Sequence, residues 1–236
     1  GRMGIEHIKN IQTYIKNAEV FAVCANHKEK LEQIAKQWNI PYQYTSFKEM
    51  CANDAIDAIV IASPTAYHLE HIKIAREYKK HIFCEKPIGL DLESCKKIAK
   101  DINEDSSHVF SLGFMRRFDS SYVKVKEKLD RGDIGRLILI RCYSQDPVAN
   151  IKGAIQYASL SGGQFMDMSI HDIDLCHWFL PGRKVKTIHS IGGCYEYEEY
   201  AKWNDGDNVA SLMQFDDGTM AFLFAGRAAA HGYNIE

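Results

Sequence analysis

"AIDAIVIASPTAYHLEHIKIAREYKKHIFCEKP", residues 55–87, carries the fold decision. Residues 55–64 form an apolar, isoleucine-rich run that ends in Ser-Pro, the pattern of a buried strand and its turn. Residues 66–80 space Leu69, Ile72, Ile74 and Ala75 at helical intervals, and "HIFCEKP" returns to a short apolar run. Strand, helix and strand in so few residues imply two parallel strands joined by a crossover helix.

The same alternation extends outward in both directions. "AEVFAVCAN" (18–26) reads as a strand, "HKEKLEQIAKQWNI" (27–40) as a helix closed by Pro41, "DLESCKKIAKDINED" (91–105) as a helix and "SHVFSLGFM" (107–115) as a strand. This predicts a doubly wound parallel α/β sheet over residues 1–115. Beyond it the rhythm changes. A helix is expected over 121–132, a strand over 135–146 and one helix over 162–180. The runs 184–197, 208–217, 218–229 and 231–236 then follow without helices, and "FDDGTMAF" marks a hairpin. Residues 116–236 are therefore read as an α+β domain with a largely antiparallel sheet. The chain opens on "GRMG" with no strand before its glycines and stops at "HGYNIE" inside what reads as a strand. The first strand is thus expected to be absent and both domains to be incomplete at their outer ends.

The bulk properties narrow the function classes. Of 236 residues, 46% are hydrophobic and 25% charged, and the net charge is −2 with no basic stripe. That argues against nucleic acid or an anionic membrane as partner. No apolar run approaches a spanning length, and no signal-peptide pattern opens the chain. The seven cysteines form no CxxC pair and mostly sit in apolar stretches, as reduced core residues of a cytoplasmic protein do.

Two regions carry candidate chemistry. In the first, "GRMG" matches the end of a glycine-rich phosphate loop: Gly1 and Gly4 let a backbone approach a pyrophosphate, and the helix behind them offers free N–H groups. The strand at 18–26 ends with Ala25 where a ribose-binding acid is expected, followed by Asn26, which can still bond a ribose hydroxyl. No arginine stands there for a 2′-phosphate, although Lys28 and Lys30 are near, so NAD is favoured and NADP is not excluded. "IASPTAYH" (61–68) and "CEKP" (84–87) end the next strands and should face the cofactor, with Lys86 either a surface lysine beside a turn or a functional group.

The second region is "SGGQFMDMSIHDIDLCHWFL" (161–180), which is apolar yet carries Asp167, His171, Asp172, Asp174 and His177. At roughly 100° per residue, Asp167, His171, Asp174 and Trp178 share one face, whereas Asp172 and His177 point elsewhere. A carboxylate one turn before an imidazole suits a general base; a surface pair or a satisfied core histidine is the plainer alternative. His171, Asp174 and His177 offer metal-ligand types, but His177 lies about 80° off the shared face and no second ligand set exists, so no metal is expected. No GxSxG elbow surrounds a serine, and Cys176 has no base on its own face.

With "GRMG" and His7, "SPTAYH", "EKP", "GFMRRFD" (113–119) and "GGQFMDMSIHDIDL" (162–175) in this order, the chain resembles the glucose–fructose oxidoreductase/inositol dehydrogenase (Gfo/Idh/MocA) family over nearly its whole length. "YSQDP" (143–147), residues 151–165, residues 204–222 and "HGYNIE" look most like its NAD-dependent scyllo-inositol 2-dehydrogenase branch, with the myo-inositol enzymes next. The resemblance implies a Rossmann-like NAD(P)-binding domain over 1–115 and a substrate-binding and oligomerisation domain over 116–236. It implies a catalytic trio of Lys86, Asp167 and His171. Cofactor contacts would come from Gly1, Arg2, Met3, Gly4, Asn26, Ser63, Pro64, Thr65, His68, Glu85 and Lys86. Substrate contacts would come from Lys86, Asp167 and His171, with Arg116, Arg117 and Tyr233 as weaker candidates. Ala25 departs from the family's usual acid.

The implied reaction oxidises a ring hydroxyl of scyllo- or myo-inositol to the ketone with hydride transfer to NAD. Oxidation or reduction of another sugar or cyclic polyol, or NAD sensing without catalysis, are the alternatives. The expected partners are a small polyol and further copies of the chain, as a tetramer or dimer.

Overall fold

The computed structural model describes residues 1–105 and 107–236. They fall into two units, Gly1–Gly113 and Phe114–Glu236.

In the first unit the elements follow as α1 (Arg2–Tyr14), β1 (Ala22–Cys24), α2 (Lys28–Gln37), β2 (Tyr42–Tyr44), α3 (Phe47–Cys51), β3 (Ala58–Ile61), α4 (His68–Glu77), β4 (His81–Cys84), α5 (Leu92–Glu104) and β5 (Phe110–Leu112). All strand pairings are parallel. They form two pieces, β1–β2 and β3–β4–β5. Ile59 and Ile61 of β3, Ile82 and Cys84 of β4, Ile72 and Ala75 of α4 and Ile98 of α5 make the core. Two helix starts are capped as their sequences dictate: Ser46 accepts from Glu49 N and Asp91 from Ser94 N. The β2–α3 pair was not expected, because "YQY" is short, polar at its centre and half open to solvent.

The second unit contains α6 (Ser120–Asp130), β6 (Leu139–Pro147), α7 (Ile151–Ser161), a π-helical turn (Phe165–Ser169), α8 (Ile170–Phe179), β7 (Val185–Gly193), β8 (Asn208–Phe215), β9 (Met220–Ala229) and β10 (Asn234–Ile235). The sheet runs β10–β6–β9–β8–β7. Only β6 and β9 pair in parallel, so the largely antiparallel expectation holds. The Asp-Gly turn closes the β8–β9 hairpin, with Gly218 at φ +88° and Phe215 N donating to Thr219 O at 2.8 Å. Helix α8 packs Cys176 and Leu180 against Ile140, Cys142, Met213, Phe215 and Leu223 of the sheet.

The single helix expected over 162–180 is corrected in two ways. "SGG" ends α7, whose C-cap Gly162 is left-handed at φ 80°, so the glycines stop one helix instead of loosely opening the next. The following segment begins as a π turn and becomes α-helical only at Ile170. Its wider turn breaks the constant angular step on which the shared face was drawn.

All seven cysteines are free thiols. Burial pushes Cys24 and Cys51 up to about 11 and Cys84 up to about 12, which keeps them protonated and unreactive. Among the described residues, no helix is long and apolar enough to cross a membrane.

Asp207 organises the approach to β8. Its fully buried carboxylate accepts N–H bonds from Tyr195 (3.0 Å), Glu196 (2.7 Å) and Tyr197 (2.8 Å) and one from the Asn208 amide. Burial alone would raise the carboxyl; the N–H donors outweigh it and hold it below the usual carboxylate range. A lowered folded value means the contribution to stability is complete above about pH 4, the ordinary aspartate value, and fades as pH falls through the folded one. Asp207→Asn is expected to lower unfolding free energy at neutral pH by about 1–3 kcal/mol and to flatten the acid dependence. Urea unfolding at a series of pH values measures both.

Candidate active site

The first unit presents its candidate residues where parallel strands end. Helix α1 starts at Gly1, which gives no side-chain cap, and its first turn holds no acid. Its first internal bond runs from Ile5 N to Gly1 O, so the N–H groups of Arg2, Met3 and Gly4 have no carbonyl within the helix. A Cβ on Gly1 would meet nothing within 4 Å, and one on Gly4 only Ala62 Cβ at 3.9 Å. Uncapped donors, open space and the helix dipole suit an anionic pyrophosphate, so the residues present fit the dinucleotide. Ala25 and the exposed Asn26 follow β1.

Ser63, Pro64 and Thr65 follow β3, while Glu85, Lys86 and Pro87 follow β4. Glu85 N donates to Ile61 O at 2.9 Å and Gly113 N to Cys84 O at 2.8 Å, which hold the strand ends together. Two histidines secure these loops. His7 of α1 meets Glu85 Oε1 at 2.7 Å. His68 is 1% exposed, and its ring nitrogens lie 2.7 Å from Pro87 O and 2.8 Å from Ser63 O. With both nitrogens occupied by backbone carbonyls, His68 braces the Ser63 and Lys86 loops against each other and is not placed to touch a cofactor itself. His71, stacked on Phe47 at 4.1 Å, contacts Ser63 Oγ at 3.0 Å, and burial lowers its basicity. Lys86 is half-buried and precedes a cis proline.

The second unit answers each acid of the 165–179 segment with an arginine. Asp172 is fully buried; it pairs with Arg116 and accepts from Ser144 Oγ at 2.8 Å. Burial pushes its carboxyl up, against the pull of Arg116 and the Ser144 hydroxyl. Asp174 takes a two-pronged bond from Arg117, at 2.8 Å through Nε and 2.6 Å through Nη2. Asp167 Oδ2 receives Arg227 Nη1 at 3.1 Å.

Asp174 is thus taken up by Arg117. One sequence expectation is corrected. Arg116 is 4% exposed, with its guanidinium taken up by Asp172 and Ser144, so it is not presented to a polyol. Asp167 and His171 remain half-buried, as candidate reacting groups should. The His171 ring meets Phe114 edge-on at 6.4 Å and its Nδ1 is buried. Tyr233 is 60% exposed, and His177 is exposed at the helix's last turn. Among the described residues, no cluster of three or more His, Cys, Asp or Glu could hold a metal ion.

Arg227 was missed in the sequence. The available signal was a lone arginine in the apolar strand "AFLFAGRAA", where a buried cation implies a buried acid.

Residues 1–114 match the oxidoreductase family with an NAD-binding Rossmann fold, and residues 122–236 match the GFO/IDH/MocA C-terminal domain. The chain is 32% identical to scyllo-inositol 2-dehydrogenase (NAD(+)) of Bacillus subtilis (strain 168), covering 100% of itself and 67% of that protein. It is 41% identical, at TM-score 0.92, to scyllo-inositol dehydrogenase from Lactobacillus casei with bound NAD(H) and scyllo-inositol, covering 100% of itself and 69% of that chain. It is 34% identical, at TM-score 0.94, to myo-inositol 2-dehydrogenase from Lactobacillus plantarum, covering 100% of itself and 70% of that chain. The chain thus spans about two thirds of these relatives' length. With an uncapped glycine helix start in one unit and an arginine-held aspartate before a histidine in the other, the chain belongs to the GFO/IDH/MocA oxidoreductase family.

Proposed function

We propose that this protein is an NAD-dependent inositol dehydrogenase that oxidises a ring hydroxyl of scyllo- or myo-inositol to the inosose. One observation carries the reading. In a segment whose other two acids, Asp172 and Asp174, are buried against Arg116 and Arg117, Asp167 and His171 combine partial exposure with the acid–imidazole chemistry that alcohol oxidation requires.

Gly1, Arg2, Met3 and Gly4 would hold the pyrophosphate, Asn26 the adenosine ribose, and Ser63, Pro64, Thr65, Glu85 and Lys86 the nicotinamide side. NAD, when bound, supplies the hydride acceptor. His171 takes the hydroxyl proton at Nε2, since its Nδ1 is buried. The Asp167 carboxylate stabilises the resulting imidazolium. The Lys86 ammonium donates to the reacting oxygen and stabilises alkoxide charge as the proton leaves. Tyr233, exposed beside β10, is assigned to the polyol's remaining hydroxyls.

We also place the protein in the cytoplasm as a homo-oligomer, a dimer or tetramer. Leu139, Ile191, Leu212 and Met220 share one face of the sheet and are 38–64% exposed, an apolar surface that a second copy would cover. Light scattering should return a multiple of the 26.9 kDa chain mass, or of the full-length mass where the protein is longer, and Leu212→Glu should shift it toward monomer.

Full-length protein offered NAD with an inositol panel should form NADH on scyllo- or myo-inositol. His171→Ala is expected to lower turnover roughly 10²–10⁴-fold, and Lys86→Met by a comparable factor. Near-normal turnover in His171→Ala would remove its role, and NAD binding without oxidation of any polyol would make the protein a sensor. Ala25→Asp, at the end of β1, should tighten NAD and weaken NADP, changing their ratio of Kd values roughly tenfold or more. Calorimetric titration with each dinucleotide reads that ratio.

A further inference from the structure

Arg227 is one of the largest completely buried side chains, at 1% exposure on β9. Its guanidinium forks between two carboxylates, with Nη1 3.1 Å from Asp167 Oδ2 and Nη2 3.4 Å from Asp205 Oδ2. The fork's Cζ lies 5.0 Å from the ring centre of buried Tyr200. Its own backbone N–H donates to Asp207 O at 2.9 Å. Asp205 also accepts from Gln164 N at 2.8 Å, three residues before Asp167. Asp205 thus bonds both the residue before the π turn and the arginine that holds the turn's carboxylate.

The two arms differ in what they reach. Asp205 is 6% exposed, an interior partner that balances a buried cation. Asp167 is 24% exposed, so the second arm leads from the interior to a side chain at the surface where substrate would be met.

We propose that Arg227 is a positioning residue for the dehydrogenase reaction: it fixes the Asp167 carboxylate in place and acts on the proton acceptor His171 through it. The proposal rests on the reading of Asp167 and His171 given above. Arg227 touches no reacting atom. It keeps the carboxylate oriented from one turnover to the next.

The test is a double-substitution cycle in full-length protein, with Arg227→Met, Arg227→Lys and Asp167→Asn alone and combined. Arg227→Met should lower kcat roughly 10- to 100-fold, with KM for NAD unchanged. Arg227→Lys keeps a cation but not the planar fork, and should recover part of that loss. In the Asp167→Asn background either change at 227 should cost little further turnover, since its target is already gone. Circular dichroism and melting establish which variants fold; if Arg227→Met does not, Arg227→Lys carries the cycle. Folded variants with unchanged kcat, or with losses that multiply undiminished on Asp167→Asn, overturn the proposal while the dehydrogenase reading stands. A full-length parent protein that oxidises no polyol overturns the reading itself.

Discussion

A charge taken out of water has to meet its opposite, and in Phe114–Glu236 that constraint accounts for the three aspartates of the central helical segment. Asp172 meets Arg116, Asp174 meets Arg117 and Asp167 meets Arg227. The first two arginines lie next to each other in the turn before α6, and the third is on β9. These pairs hold the turn at 115–118 and one strand to the same stretch of chain. Replacing either member of Arg116–Asp172 alone would strand a buried charge, a far larger penalty than losing an exposed pair. Of the three acids, only Asp167 combines such a pair with substantial exposure.

The first unit ties its loops together through imidazoles instead of arginines. Its candidate groups stand on loops after parallel strands, which have no ladder of their own. The histidine between Pro87 O and Ser63 O, and the imidazole–carboxylate contact of His7 with Glu85, supply the missing cross-links. Lys86 therefore projects from a turn whose neighbours on both sides are fixed. Such support lowers the ordering cost of the turn that carries the lysine.

What was legible in the sequence was whatever depends on local periodicity. The alternation of strand and helix over 55–105 follows from side chains three or four apart and survives in the structure. Short elements escaped. Strand β2 has three residues and little apolar contrast, and α7 is apolar around most of its circumference with Gly153 inside it. Both are held by tertiary contacts that no short window contains. The segment after Gly163 was misread for a different reason. An angular wheel assumes one step per residue, and a π turn changes that step between Asp167 and His171.

That π turn also bears on why Asp167, and not Asp174, is exposed. A wide turn projects its residues differently from the α-helix that follows, so an acid just ahead of Ile170 need not fall on the buried stripe defined by Asp172, Leu175 and Cys176. Extra width in a helix costs hydrogen-bond quality, and the sequence around it supplies compensation. Gly162 and Gly163 accept positive φ, Asp205 satisfies the N–H of Gln164, and Asp167 N donates to Gly163 O at 2.9 Å. Arg227 then holds the acid from behind. A distortion anchored at its start, along its backbone and through its side chain is a supported feature of the fold and not a packing defect.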